Sequence, residues 1–236
     1  MTIARLDYDK ADIRIQCNTL HERRRLRSCA SEPFTVAWIE AMEPGDVFYD
    51  VGANVGTYSL IAFKYHEGRV KVLAIEPGMP SALVLRENIY LNQAEAIWVF
   101  DDALSDHDNI EPFYYSVYES GSAYNRVGDA GNDGRVRKAH HNVSVCRMDT
   151  LAEEQGIWPT HIKVDTDGDE ARVLAGAPEC LKRAKSVMIE VNTAQSELLE
   201  SVHEAMDVAG LTLVQKWDLH PGNKDNRDFN YLFERA

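Results

Sequence analysis

The stretch VFYDVGANVGTYSLIAFKYH, residues 47–66, carries more structural information than any other part of this chain. An apolar strand runs into Asp50, Gly52 and Gly56 follow on either side of Asn54, and a helical pattern begins immediately afterwards. Glycine lets the backbone approach a bound molecule without a Cβ atom in the way. The first turn of the following helix presents free N–H groups to the same place. The pattern predicts a ligand-binding turn between a strand and a helix.

This turn departs from the Gly-x-Gly-x-x-Gly fingerprint of dinucleotide-binding proteins. Asn54 replaces the middle glycine, and Asp50 ends the strand, where its carboxylate would repel a pyrophosphate. A cationic ligand such as S-adenosylmethionine would instead be attracted by Asp50 and could use the backbone donors for its own carboxylate. The next strand ends in Glu76, where a carboxylate can accept both hydroxyls of a ribose. The two acids therefore favour an adenosyl ligand.

Strands and helices alternate along most of the chain, which indicates right-handed βαβ units and a doubly wound α/β sheet. Most predicted strands are continuous apolar runs, as in a buried parallel sheet. The last two are joined by LHPGNKDNRD instead of a helix, which predicts an antiparallel hairpin. The predicted strands cover residues 47–51, 70–75, 97–100, 161–165, 187–191, 211–217 and 229–233, and the main helices cover 34–42, 82–92, 169–176 and 196–210.

The chain is expected to form one sheet-containing domain, residues 45–236, after a mostly helical lead-in, residues 1–44. Between residues 105 and 148 the alternation breaks down. FYYSVY and VSVCRM are candidate extra strands, and a glycine-rich, charged segment separates them. That segment is typical either of a mobile lid over the carboxyl edge of the sheet or of an ordinary surface insertion.

Composition limits the class of partner. The net charge of -13, from 38 acidic and 25 basic residues, argues against a nucleic-acid surface, which relies on clustered Lys and Arg. For the one basic run, HERRRLR at residues 21–27, a solvated helix face is favoured over an anion patch. No stretch approaches the ~18–20 apolar residues of a membrane span, and the N-terminus lacks an apolar signal core. We therefore expect a cytoplasmic protein with a small-molecule partner and no membrane partner.

Several motifs in a fixed order resemble the FkbM family of S-adenosylmethionine-dependent methyltransferases. They are DVGANVGTYS at 50–59, EP at 76–77, DALSD at 102–106, IKVDTDGDEARVLAGA at 162–177 and IEVN at 189–192. The resemblance implies the Rossmann-like seven-stranded methyltransferase fold, a mixed sheet with strand order 3-2-1-4-5-7-6. It also implies O-methylation of a hydroxyl on a small metabolite, sugar or natural product, with S-adenosylmethionine as the cofactor.

The resemblance also implies which residues hold the cofactor. Glu76 matches the acid that binds the ribose, and Asp102 and Ala103 match the position that meets the adenine amino edge. Asp167 stands where the family usually has a glutamate, so its carboxylate is one methylene shorter. The expected cofactor-binding residues are Asp50, Gly52, Asn54, Gly56, Thr57, Tyr58, Glu76, Asp102 and Ala103.

Methyl transfer to an alcohol calls for a general base or a metal ion, because an alcohol is a poor nucleophile until its proton leaves. Asp165, at the end of the strand THIKVD, is the first candidate for the base, and Glu190 in the neighbouring strand is expected beside it. With Asn192 they resemble the oxygen ligands of metal-dependent catechol-type O-methyltransferases, which suit Mg²⁺, although a metal is not favoured. His140 and His141 are alternative bases.

Two other classes stay open. A nicotinamide-dependent dehydrogenase begins with the same βαβ pattern, but Asn54 and Asp50 both oppose it. An adenosyl-binding protein that has lost catalysis is compatible with the shortened acid at Asp167. The sequence does not identify the methyl acceptor or the oligomeric state.

Overall fold

The computed structural model describes residues 1–129, 131, 134–220, 222–223 and 227–235, without the side chains of residues 139 and 140. In chain order the strands are β1 (Ile3–Arg5), β2 (Arg14–Gln16), β3 (Val47–Val51), β4 (Lys71–Ile75), β5 (Trp98–Phe100), β6 (Ala103–Leu104), β7 (Asn109–Tyr115), β8 (Arg126–Val127), β9 (Lys138–Cys146), β10 (His161–Val164), β11 (Ser186–Asn192), β12 (Leu211–Asp218) and β13 (Asp228–Arg235). The helices are α1 (Leu20–Arg25), α2 (Ser28–Ser31), α3 (Pro33–Glu40), α4 (Thr57–Tyr65), α5 (Met79–Leu91), α6 (Met148–Gln155), α7 (Glu170–Ala175), α8 (Pro178–Arg183) and α9 (Ser196–Ala209).

The central sheet has seven strands in the order β5-β4-β3-β10-β11-β13-β12. The five strands from β5 to β11 are parallel, and β13 and β12 run antiparallel to their neighbours. Both the predicted order 3-2-1-4-5-7-6 and the predicted C-terminal hairpin are confirmed. After β3 the chain adds β4 and β5 on one side of that strand, and it later adds β10 on the other side of β3. The carboxyl ends of β3 and β10 therefore form a topological switch point.

Alternation along the central strands supplies two apolar cores, one on each face of the sheet. In β3, Tyr49 and Val51 enter one core, whereas Phe48 enters the other, which α3 and α4 cover. Successive side chains of a strand point to opposite faces. Asp50 therefore shares the face of Phe48, and its register partner in β10 is Lys163. This alternation buries two charged side chains under α4.

The segment before β3 contains a two-stranded antiparallel hairpin, β1-β2, in addition to the three helices α1 to α3. The expected lead-in was mostly helical, and strands of three residues are too short to give a periodic signal. Leu6, Ile13 and Ile15 are buried in the same core as Phe48. This segment therefore packs directly onto the central sheet.

Residues 103–146 contribute a second sheet with the order β6-β9-β7-β8. The two candidate strands FYYSVY and VSVCRM overlap β7 and β9, so both are present. Between β7 and β8, residues 116–125 form what we call the cover loop. The carbonyl of Ser120 accepts a hydrogen bond from Thr19 (3.2 Å), and that of Gly121 accepts one from Arg25 (3.2 Å). The cover loop is thus attached to the N-terminal helices. The segment predicted as a possible lid, residues 121–141, begins in this loop, contains β8 and enters β9. Its residues 130, 132 and 133 lie outside the described residues, and its role as a lid stays a prediction.

Candidate functional site

A cavity of about 270 Å³ opens at the carboxyl edge of the central sheet, beside the switch point between β3 and β10. Ligands of open α/β sheets bind at such points. Its wall comes from the strand ends, the N-terminal helices, the cover loop and the loop between β12 and β13. The charged and amide side chains in that wall are Arg25, Glu32, Asn54, Glu76, Asn125, Asp165, Asp167, Asp169, Glu190, His220 and Asp228.

The glycine turn, residues 52–56, forms one side of the cavity. Gly52 and Gly56 have φ angles of +81° and +87°, and Asn54 has a φ of +52°. A Cβ atom on Gly52 would lie 1.9 Å from the carbonyl oxygen of Asp165, so the turn can approach the end of β10 only with glycine there. Among the described residues, no side chain caps the start of α4. Its first N–H groups are therefore left for a ligand or water.

Asn54 and Glu76 connect the turn to the end of β4. The carboxylate of Glu76 accepts hydrogen bonds from the backbone N–H groups of Asn54 and Gly78, each at 2.8 Å. Burial raises the pKa of Glu76 to about 7, more than these two donors lower it. A carboxylate oxygen has a second acceptor site, so Glu76 can also accept hydroxyl groups of a ligand.

The other residues expected at the cofactor differ in position. Ala103 lies in the cavity wall. Asp50 is buried behind the turn, where it accepts a hydrogen bond from Ser59 at 2.6 Å. Thr57 is buried in the first turn of α4, and Tyr58 packs against the core under α4. Three of the five remaining expected residues are in the wall, namely Gly52, Asn54 and Glu76. Gly56 lies so close to Leu85 that a Cβ atom on it would be 2.3 Å from the Cδ1 atom of that leucine. Asp102 borders a neighbouring groove.

Asp165 follows β10 directly and faces the cavity, as expected. Its Oδ2 atom accepts a hydrogen bond from the ammonium of Lys163 at 2.8 Å, and Lys163 is only 2% exposed. Burial would raise the pKa of Asp165, but Lys163 and Arg25 outweigh it and hold that pKa below its usual value. Asp165 is therefore an ionised hydrogen-bond acceptor near neutral pH.

Of the two residues expected beside Asp165, the structure brings Glu190 into the cavity wall but not Asn192. Asn192 donates to Asp228 at 2.8 Å and accepts from the N–H of Ala194 at 3.0 Å. These two contacts hold its amide outside the cavity wall. Within the part of the chain that the structure describes, no three His, Cys, Asp or Glu side chains are grouped so as to hold a metal ion.

The turn after β10 carries a second group of acids. Asp167, at a φ of +59°, accepts a hydrogen bond from the N–H of Tyr124 in the cover loop at 2.6 Å. Burial and the neighbouring Asp165 raise the pKa of Asp167 to about 7. Glu170 accepts from the N–H groups of Thr166 and Gly168, which shapes this turn. The carboxylate of Asp167 can therefore accept a proton near neutral pH, and it lies in the cavity wall.

Of the two histidines proposed as alternative bases, His141 is not among the residues of the described cavity wall. It packs against the rings of Phe113 and Tyr115, with centroid distances of 5.7 and 5.6 Å, and borders the groove beside Asp102. The side chain of His140 lies outside the described residues.

Several residues of the site carry no signal in the sequence. Arg25 and Glu32 reach the cavity from the N-terminal helices, and His220 reaches it from the loop between β12 and β13. The basic run was interpreted as a solvated helix face, which describes the exposed Arg23, Arg24 and Arg27 but not Arg25. The motif IKVD was the one available hint to Lys163, because a lysine inside an otherwise apolar strand needs a buried partner.

Comparisons with known proteins agree with this geometry. The 31-O-demethyl-FK506 methyltransferase FkbM of Streptomyces tacrolimicus is 27% identical over 209 residues, covering 75% of this chain and 76% of that protein. The hexuronic acid methyltransferase AglP of Haloferax volcanii is 25% identical over 76% of this chain and 70% of its own length. The AMB antimetabolite synthetase AmbE of Pseudomonas aeruginosa is 28% identical, but this chain spans 8% of its length.

A solved structure supports the fold. The methyltransferase FkbM of Methylobacillus flagellatus superimposes with a TM-score of 0.55 at 16% identity, covering 79% of this chain and 43% of that one. Residues 50–211 match the family described as the methyltransferase FkbM domain, a range that runs from the glycine turn to the start of β12. The resemblance seen in the sequence motifs is confirmed, and the chain belongs to the FkbM methyltransferase domain family.

Proposed function

We propose that this protein transfers a methyl group from S-adenosylmethionine to a hydroxyl of a small metabolite, sugar or natural product. One observation carries the proposal. A single cavity contains the glycine turn with Glu76 on one side and Asp165, Asp167 and Glu190 on the other. The first set suits an adenosyl ligand, and the second suits a hydroxyl that must lose a proton.

The residues of the turn fit the cofactor. A Cβ atom on Gly52 would collide with the carbonyl of Asp165, so the glycine lets the turn pack against the end of β10 and brings the two sides of the cavity together. The Oδ1 atom of Asn54 is buried without a partner among the described residues, and a ligand amine or hydroxyl can donate to it. Glu76 retains acceptor sites for a ribose. S-adenosylmethionine supplies an electrophilic methyl group when it is bound.

The acids beside β10 and β11 are suited to handle the acceptor. Asp165, held ionised by Lys163, can accept a hydrogen bond from the hydroxyl in the bound complex and so orient its oxygen, but its lowered pKa makes it a poor place for the proton itself. Asp167, with a pKa of about 7, can take up that single proton near neutral pH when the oxygen becomes the nucleophile. The two acids thus divide positioning from proton transfer, whereas the sequence pattern favoured Asp165 as the base.

The relatives support the class of acceptor. One is named for 31-O-demethyl-FK506 and another for hexuronic acid, and both names describe methylation of small molecules. Among the described residues, no helix is long and apolar enough to cross a membrane. A cytoplasmic location, the absence of nucleic-acid partners and the dispensability of Mg²⁺ stay predictions.

Calorimetric titration with S-adenosylhomocysteine, with NAD in parallel, tests the cofactor. We expect micromolar binding of S-adenosylhomocysteine alone, weakened about tenfold or more by Glu76→Ala, because hydrogen bonds to a charged group contribute about 1.5–3 kcal/mol. Glu95→Ala, which removes an exposed acid before β5, at the opposite edge of the sheet from Glu76, is the matched control. A preference for NAD would contradict the proposal. Tight binding without turnover across an acceptor screen would favour the adenosyl-binding alternative raised by Asp167.

A further inference from the structure

The wall of the cavity carries many more acidic than basic side chains. Two groups in the described wall are basic, Arg25 and His220. The acidic groups in the wall are Glu32, Glu76, Asp165, Asp167, Asp169, Glu190 and Asp228. Most buried acids have a compensating donor or cation, because burying an unpaired charge is costly. The partners of these acids therefore indicate which of them await a ligand.

Five acids have such a partner within the protein; two of them are Asp167, which accepts from the N–H of Tyr124, and Asp228, which accepts from Asn192. Asp165 is paired with Lys163 at 2.8 Å, and Asp169 is paired with Arg126 at 3.2 Å. Glu76 accepts two backbone N–H groups. These contacts neutralise or satisfy the acids that lie beside the glycine turn and after β10.

Glu190 and Glu32 differ from this group. Among the described residues, no side chain donates a hydrogen bond to the carboxylate of Glu190 and no cation pairs with it. Glu32 accepts hydrogen bonds from Thr35 at 2.9 Å and Asn230 at 3.0 Å, and both donors are neutral. Lys163 acts electrostatically on both carboxylates, but its hydrogen bond goes to Asp165, so neither Glu190 nor Glu32 has a cation of its own among the described residues.

A buried amide marks the same place. Asn230 is 1% exposed and is the register partner of Glu190 across the β11-β13 ladder. Its Nδ2 atom donates to Glu32, and its Oδ1 atom is buried without a partner among the described residues. An unsatisfied buried acceptor next to two carboxylates that have no cation of their own is a place for a donor that carries several hydrogens.

We infer that the methyl acceptor carries a positively charged amine beside its hydroxyl, and that Glu190 and Glu32 bind this ammonium group. The inference rests on the proposed function, since it names the class of acceptor for the same cavity. S-adenosylmethionine brings a single net positive charge, because its carboxylate offsets its amine, so the cofactor alone does not compensate both glutamates. An ammonium group supplies a second charge and up to three donors.

The titration behaviour of Glu190 supports this assignment. Burial and the nearby Asp165 raise the pKa of Glu190 well above its ordinary value. An ammonium group in contact with Glu190 would lower that pKa and favour the ionised form. A metal ion is less suited to the position, because no three potential ligands are grouped there among the described residues. An anionic acceptor such as a hexuronic acid would be repelled by the same wall.

Ligand-observed saturation-transfer NMR with three matched sugars tests the inference at millimolar concentration. Glucosamine is cationic, N-acetylglucosamine is neutral and glucuronate is anionic at neutral pH. Each is measured with protein alone and with protein saturated with S-adenosylhomocysteine. We expect saturation transfer to glucosamine, weakened about tenfold in Glu190→Gln, because a lost charge-assisted contact corresponds to about 1.5–3 kcal/mol.

Glu200→Gln, which removes one exposed acid of α9, is the matched control and should bind glucosamine like the wild type. The affinity for S-adenosylhomocysteine, measured in all variants, reports whether Glu190→Gln is folded and whether the proposed function holds. If S-adenosylhomocysteine binds but no sugar does, or if glucuronate or N-acetylglucosamine binds as well as glucosamine, the amine assignment is wrong while the cofactor assignment stands. Equal glucosamine binding by wild type and Glu190→Gln also contradicts the assignment.

Discussion

The ammonium of Lys163 lies 2.8 Å from the carboxylate of Asp165, on the strand that borders the cavity. The strand register also places Lys163 opposite Asp50 of β3. Burial disfavours the charge of Lys163, but Asp165, Glu32 and Asp50 outweigh it and raise its pKa. One buried cation thus joins the end of β10 to the base of the glycine turn.

Replacing Lys163 by Met should lower the free energy of unfolding by about 3 kcal/mol, because the variant leaves buried carboxylates unpaired. Urea unfolding measures this change. The double variant Lys163→Met, Asp165→Asn should be less destabilised than the sum of the two single variants, since it removes both partners of the pair. Strict additivity would show that the two side chains are not coupled.

Asp165→Asn should reduce turnover about 100-fold or more, because it removes the ionised acceptor that we assign to the substrate hydroxyl. The affinity for S-adenosylhomocysteine should stay within a few fold, since the turn and Glu76 are unchanged. Steady-state kinetics and calorimetry check the two parts separately. Asp207→Asn, at an exposed position of α9, is the control. Wild-type turnover in Asp165→Asn would remove this residue from the mechanism.

Cofactor affinity should depend on pH through Glu76, whose pKa burial raises to about 7. A ribose hydroxyl donates to the ionised carboxylate and lowers that pKa in the complex, so binding releases a proton. Binding should therefore tighten with rising pH and level off above about 7, and it should weaken by up to about tenfold per unit below that value. Calorimetry between pH 5.5 and 8.5 measures it. Glu76→Gln should bind weakly with no such dependence, and an unchanged pH profile in that variant would contradict the assignment.

Two glycines with positive φ allow a matched test of the turn. A Cβ atom on Gly52 would lie 1.9 Å from the carbonyl of Asp165, whereas one on Gly45, at a φ of +96°, has no atom within 4 Å. Gly45→Ala should cost about 1 kcal/mol for its backbone conformation. Gly52→Ala should cost about 2–3 kcal/mol more and should weaken binding of S-adenosylhomocysteine. Equal unfolding free energies in the two variants would show that the turn is not closely packed.

Acid stability should depend on Asp46, at the opposite end of the sheet. Burial would raise the pKa of Asp46, but Lys185, the N–H of Glu43 and His161 lower it to about 2. A depressed pKa stabilises the fold above the unfolded value of about 3.9, and this contribution is lost as pH falls toward about 2. Asp46→Asn should remove about 1 kcal/mol at pH 6 and flatten the loss of stability below pH 4. Identical acid unfolding of the wild type and Asp46→Asn would refute this role of Asp46.

Much of the fold is predictable because it follows from local patterns. All seven strands of the central sheet were predicted to within two residues at each end, most of them from continuous apolar runs. The strands β12 and β13 were expected to pair because no helix joins them. The hairpin β1-β2 was missed because its strands have three residues each. The extra sheet around β7 was predicted only as candidate strands, since its pairing joins residues far apart in sequence.

The sequence by itself determined the glycine turn and the strand-end acids, because each depends on a short motif. The strand order was implied by the resemblance that several such motifs carry together. The tertiary structure alone decided which side chains share the cavity. It brought in Arg25 and Glu32 from the N-terminal helices, buried Asp50 behind the turn, and held Asn192 on Asp228. These outcomes depend on contacts between distant segments and on side-chain direction, which no local pattern encodes.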